Sequence, residues 1–131
     1  GGAGVIAILS ERALRGLAPV VFGAGRQTRD YVFVGDIVAA NLAAARAGTL
    51  PHDVYNVGTG TEVDLLELVD AVGDVAGLPA GAFTPDFHPA RAGEVRRSCL
   101  DVTRARTELG LGEPTPLTDG LRATLDWVRT L

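Results

Sequence analysis

Short runs of β-formers alternate with helical stretches along this chain, and that alternation is its strongest constraint. "APVVF" ends at residue 22, "DYVFV" spans 30–34, "DVYNVG" spans 53–58 and "EVRRSCL" spans 94–100. Each has the branched and aromatic content or the alternation expected of a strand. The opening stretch sets Val5, Ile6, Leu9, Ala13 and Leu17 within about 120° of arc at about 100° per residue, an amphipathic helix ending near Gly16 with Ile8 on the opposite side. "DIVAANLAAARAG" is a second helix, with Asp36 as its cap and Gly48 as its stop. Asp64 followed by Glu67 predicts a capping box for a third helix, whose Leu65, Leu68, Val69, Val72 and Ala76 form one stripe before Gly77 and Pro79 end it. Asp101 is placed as the cap of a short fourth helix, and the last helix sets Leu117, Leu121, Leu125 and Val128 on one face. Residues 78–93, with three prolines and two glycines, read as a long loop. The order predicts an α/β fold of short strands with about five helices, and fold class alone assigns no function.

At 131 residues the chain is expected to be one domain, 1–131, able to bury roughly two-thirds of its unfolded surface. A net charge of −4, with no basic cluster longer than Arg96-Arg97, argues against nucleic acid or an anionic membrane as partner. No apolar run reaches the roughly 18 residues of a membrane span, and the start lacks a basic leader, so a soluble, cytoplasmic protein is expected. Cys99 is expected as a free, buried thiol, and His52 and His88 stand apart from any metal-ligand spacing, so no metal site is expected. The twelve basic residues are all Arg. Chemistry that needs a lysine ammonium must come from elsewhere.

Arg29 in "GAGRQTRD" and Arg91 in "ARAGEV" stand in loop contexts where a planar guanidinium and nearby glycine amides suit a diphosphate. Each also reads as a surface salt-bridging residue. Phe22 offers a π-face beside the turn that Gly23 and Gly25 permit, and equally fits a core aromatic. The Gly58-Thr59-Gly60 turn after a strand superficially suggests dinucleotide binding, but the position three further is Val63.

Taken in order, "VVFGAGRQTRDYVFVGDIVAANLAA", "VYNVGTG", "PARAGEVRRSCLDVTRARTELG" and "GLRATLDWV" resemble the C-terminal half of the extended short-chain dehydrogenase/reductase family. The likeness runs nearly the length of the chain and points to NAD-dependent nucleotide-sugar epimerases and dehydratases of the UDP-glucose 4-epimerase type. It implies a small substrate-binding lobe without most of the Rossmann domain. It further implies that the Val20, Val21, Phe22 strand lies against the base, that Arg29 and Arg91 grip the pyrophosphate from two sides, and that Glu94 accepts from the ribose hydroxyls. Gln27 and Asn56 are left without an assigned role. The implied ligand is a nucleotide sugar such as UDP-glucose or UDP-galactose.

The family's Tyr with a Lys four positions later is absent, since Gly35 follows Tyr31 and Thr59 follows Tyr55 at that spacing. Hence no catalytic residue is assigned, and NAD is expected to bind only in a complete family protein, not to this chain alone. The implied partner is the missing Rossmann half, or a second copy covering an apolar edge. Two further readings stay open: a stand-alone binding module, and a structural or interaction piece with no ligand.

Overall fold

The computed structural model describes residues 4–131, so the predicted Gly1-Gly2 start lies outside the described residues. The elements run α1 (Val5–Leu14), β1 (Val20–Phe22), β2 (Thr28–Arg29), α2 (Val34–Arg46), β3 (Val63–Asp64), α3 (Leu65–Val75), β4 (Asp86–His88), α4 (Thr103–Leu109) and α5 (Leu117–Val128). This is an α/β chain of five helices and short strands, as the sequence predicts.

The core forms around α3, which packs against both α1 and α5. Its predicted stripe holds: Leu65, Leu68, Val69 and Val72 are buried and meet Leu9 and Ala13 of α1 and Leu121 of α5. The predicted capping box is present in full. Asp64 accepts from the Glu67 amide at 2.8 Å, and Glu67 accepts from the Asp64 amide at 2.8 Å. At the other end Gly77, at φ +76°, lets its own N–H reach the Asp74 carbonyl and the Leu78 N–H reach Gly73. That pair of bonds satisfies carbonyls a helix end leaves open. Ser10 of α1 is also fully buried, and its hydroxyl has no hydrogen-bond partner.

Two small sheets sit beside the helices. β1 pairs in parallel with β4, setting Val20 opposite Asp86 and Phe22 opposite His88, while β2 pairs antiparallel with β3. Val21 is fully buried in the core.

Several sequence expectations are corrected. β4 lies inside the stretch read as a long loop; its three residues are all exposed, so no alternation betrays it. "DYVFV" is not a strand: pairing stops at Arg29, Tyr31 to Phe33 run without a ladder, and Phe33 becomes the N-cap of α2. Asp36 therefore sits inside the first turn rather than at the cap, and its carboxylate instead accepts from the Thr115 amide and hydroxyl, each at 2.8 Å. "DVYNVG" and "EVRRSCL" form no strands either. Cys99, expected buried, is exposed because its segment crosses the surface. The cap of α4 is Val102 by backbone geometry, although the Asp101 carboxylate still accepts from the Thr103 amide at 3.0 Å. Leu17, placed on the buried face of α1, is 45% exposed because the helix ends at Leu14.

Candidate functional site

At the C-terminal end of β1 the chain makes a glycine turn, with Gly23 at φ +71° and Gly25 at φ +75°, and doubles back into β2. A Cβ at Gly25 would meet Leu66 at 2.7 Å, so the turn is pressed onto α3. On the other side, β4 pairs with β1 and the Gly23 N–H donates to the His88 carbonyl at 2.9 Å. These contacts hold residues 22–27 and 90–97 face to face across an open groove of about 590 Å³.

Phe22, Arg91 and Glu94 all line this groove; Val20, Val21 and Arg29 do not. Val20 is half-buried in the strand behind it and Val21 belongs to the core. Arg29 touches the groove wall without lining the groove. Its Nη1 donates to the Val95 carbonyl at 2.7 Å and to its neighbour Thr28 at 2.6 Å, while Nη2 stands 4.0 Å from the Glu94 carboxylate. The Thr28 amide adds a bond to the Arg96 carbonyl at 2.9 Å, so β2 and its following arginine anchor residues 94–96.

Gln27, unassigned by sequence, is a structural link across the groove: its amide nitrogen donates to the Phe22 carbonyl at 3.1 Å and to Glu94 at 3.4 Å. Asn56 lies elsewhere, in a surface depression with Arg104 and Glu108.

Four arginines line the groove, and they differ in charge balance. Arg26 pairs with Asp64 at 2.8 Å and Arg97 with Glu62 at 2.6 Å. The Arg97 guanidinium, then the Thr28 hydroxyl, pull the Glu62 carboxyl down to about 2. Among the described residues neither Arg91 nor Arg96 pairs with a carboxylate. Arg91 instead places its guanidinium carbon 3.7 Å from the centroid of the Phe22 ring, while His88 meets that ring edge-on at 5.8 Å. A groove with two free guanidinium groups, an aromatic ring and one carboxylate suits a ligand with an anionic middle, a flat aromatic end and hydroxyls. Nothing in the sequence marks Arg96 beyond its place in the Arg pair.

The residues after Arg29 answer a second question. Asp30 makes no ion pair with Arg29. Its carboxylate accepts from the Thr59 amide at 2.9 Å, the Thr59 hydroxyl at 2.5 Å and the Gly60 amide at 2.9 Å. A Cβ at Gly58 would lie 2.6 Å from that carboxylate, which explains the need for glycine there. The amides that a dinucleotide pyrophosphate would need in this turn are thus already bound to an anion, and the α3 N-terminus behind it is closed by its capping box. This turn does not fit a dinucleotide pyrophosphate.

Neither tyrosine is prepared as a base. Burial raises the Tyr31 phenol above its ordinary value against the opposing Arg29 charge, and burial followed by the hydrogen bond to Glu108 raises Tyr55. Proton abstraction needs the opposite shift. Among the described residues there is no cluster of His, Cys, Asp and Glu able to hold a metal ion, and no helix is long and apolar enough to cross a membrane.

Residues 2–58 match the model of the NAD dependent epimerase/dehydratase family. The chain is 45% identical over 130 residues to the UDP-glucose 4-epimerase of Mycolicibacterium smegmatis, covering 98% of this chain and 40% of that protein. It is 36% identical over 128 residues to a dTDP-glucose 4,6-dehydratase of Actinoplanes, covering 95% of this chain and 38% of that one. The solved UDP-glucose 4-epimerase of Thermotoga maritima, crystallised with UDP-glucose, superposes with a TM-score of 0.87 at 40% identity, across 99% of this chain and 40% of that one. The chain thus spans about two-fifths of the length of these relatives.

Proposed function

This chain belongs to the NAD dependent epimerase/dehydratase family, and from that premise we propose that residues 1–131 are the nucleotide-sugar-binding part of a nucleotide-sugar 4-epimerase or dehydratase. The observation that carries this reading is the groove in which Phe22, Arg91 and Glu94 converge from segments far apart in sequence. A nucleoside diphosphate sugar matches it in chemistry. The base stacks at Phe22 beside the Val20 and Val21 backbone, the diphosphate lies between Arg91 and Arg29, and the ribose hydroxyls donate to Glu94. In this reading Arg29 turns Nη2 from the Glu94 carboxylate toward the diphosphate while Nη1 remains on Val95. Gln27 holds Glu94 toward the ligand.

The hydride step lies outside these residues in this reading. The sequence holds no Lys, both tyrosines have raised values, and NAD would be held by the rest of a complete family protein. Titration calorimetry of the 131-residue chain with UDP and with UDP-glucose tests the proposal. Saturable heat with both is expected, and its absence with both would leave a piece without a ligand.

The partner surface is proposed along α2. Val34, Val38 and Leu42 form an exposed stripe, four residues apart, along α2 at 67%, 52% and 46% exposure, and Val54 is 72% exposed in a segment without a ladder. Exposed apolar side chains of this kind are covered in a stable assembly, by a dinucleotide-binding lobe or, where that is lacking, by a second copy. Sedimentation of the chain alone at rising concentration is expected to show association; a monomer throughout contradicts it.

A further inference from the structure

The geometry around Phe22 assigns Arg91 a task besides its proposed grip on the diphosphate. We propose that Arg91 guards the Phe22 ring, covering the stacking face until a ligand with a diphosphate draws the guanidinium away, so that the groove selects phosphorylated nucleosides over bare ones. The inference rests on the nucleotide-sugar reading above and adds a basis for selectivity within that same site.

The argument starts from position. The parallel register sets His88 opposite Phe22, and the Gly23 amide fixes the His88 carbonyl, so the chain leaving β4 arrives beside the ring three residues later as Arg91. Ala90 packs close to Gly23, where a Cβ would stand 3.4 Å from the Ala90 Cβ, which limits how far the segment can swing. Arg91 and Phe22 both line the groove, whereas His88, at the ring edge, does not. The face that Arg91 covers, at 3.7 Å from the centroid, is therefore the groove face, the one a base would use.

Two competing partners then exist for one guanidinium. Stacked on Phe22 it has the ring's electron-rich face and no carboxylate. A base can take the ring only by displacing it. For a nucleoside that displacement has no return, because nothing in the ligand replaces the lost contact. For a nucleoside diphosphate the displaced guanidinium finds phosphate oxygens, a stronger partner than the ring. A ligand shifts such an equilibrium only through its different affinity for the two states, and the diphosphate is what supplies that difference.

The test compares uridine with UDP on the 131-residue chain, by amide shift titration for the weak ligand and calorimetry for the strong one. In Arg91→Ala the two ligands are expected to move in opposite directions: uridine binds about two- to fivefold tighter, from the size of an exposed cation–π contact, and UDP at least about tenfold weaker, from a lost charge-assisted bond. Arg91→Lys keeps the charge but stacks less well on the ring and lacks the guanidinium fork, so uridine tightens less than in Arg91→Ala while UDP recovers part of its affinity. If uridine affinity is unchanged in both variants while UDP weakens in Arg91→Ala, the residue is a clamp alone and the guard is refuted. If both ligands weaken together, Arg91 only shapes the groove and the guard is likewise refuted. Failure of UDP to bind the unaltered chain is a different result, since it removes the nucleotide-sugar reading and the guard along with it.

Discussion

Asp30→Ala is expected to destabilise the chain by about 2–4 kcal/mol, the largest single loss for a residue outside the apolar core. One carboxylate holds two amides and a hydroxyl of the Thr59-Gly60 turn, at 2.5 to 2.9 Å, and an alanine leaves both amides without that acceptor and the hydroxyl with only the Thr61 carbonyl at 3.3 Å. Water recovers part of the loss because Gly60 is exposed, while Thr59 is only half so. The consequence extends beyond one turn. Arg106 of α4 donates to the Thr59 carbonyl at 2.8 Å, and Val102, before the same helix, is packed where a Cβ on Gly60 would fall. Losing Asp30 thus loosens the contact between this turn and α4. Urea denaturation would show it as a lower midpoint at unchanged slope. Asp30→Asn keeps one good acceptor and should lose roughly half as much. A midpoint for Asp30→Ala equal to that of the unaltered chain would mean that water serves the turn as well as the carboxylate does.

Asp30 also illustrates which parts of the fold could be read in advance. Where a structural choice is made by residues adjacent in sequence, it was legible. The Asp64 and Glu67 capping box, the α3 stripe and the Gly77 stop each involve residues within one helix, and the structure has all three. Where the choice depends on a distant partner, local pattern misled. "DYVFV" has every local mark of a strand, but β2 finds a partner only for Thr28 and Arg29, and the following aromatics pack without a ladder. Asp36 precedes an apolar run as a cap should, yet Thr115, 79 residues away, engages it from inside the helix. β4 is the converse: three exposed residues with no alternation, made into a strand only because β1 offers an edge. Of the residues that the resemblance groups, Phe22, Arg91 and Glu94 line one groove, whereas Val20, Val21 and Arg29 do not. The bridging of Gln27 between Phe22 and Glu94 was not, because no local pattern says where a long amide side chain will reach.

Arg29→Ala should weaken UDP binding by about tenfold to a hundredfold, the range for losing a charge-assisted hydrogen bond to a ligand. Two separate losses add in this variant. The diphosphate forfeits the guanidinium proposed to meet it, and the Val95 carbonyl forfeits a donor at 2.7 Å, freeing the wall that carries Glu94. Arg29→Lys divides them. A single ammonium, as a point charge, can serve the carbonyl or the phosphate but cannot fork between both as a guanidinium does, so it should recover only part of the affinity. Salt sharpens the distinction: a direct phosphate contact weakens as ionic strength rises, whereas wall placement by a hydrogen bond to an uncharged carbonyl responds far less. If Arg29→Ala binds weakly but keeps the salt dependence of the unaltered chain, Arg29 acts by holding residues 94–96, and the cations facing the diphosphate are Arg91 and Arg96. If affinity is untouched, Arg29 meets no phosphate, and its bond to the Val95 carbonyl only fastens a surface segment to β2.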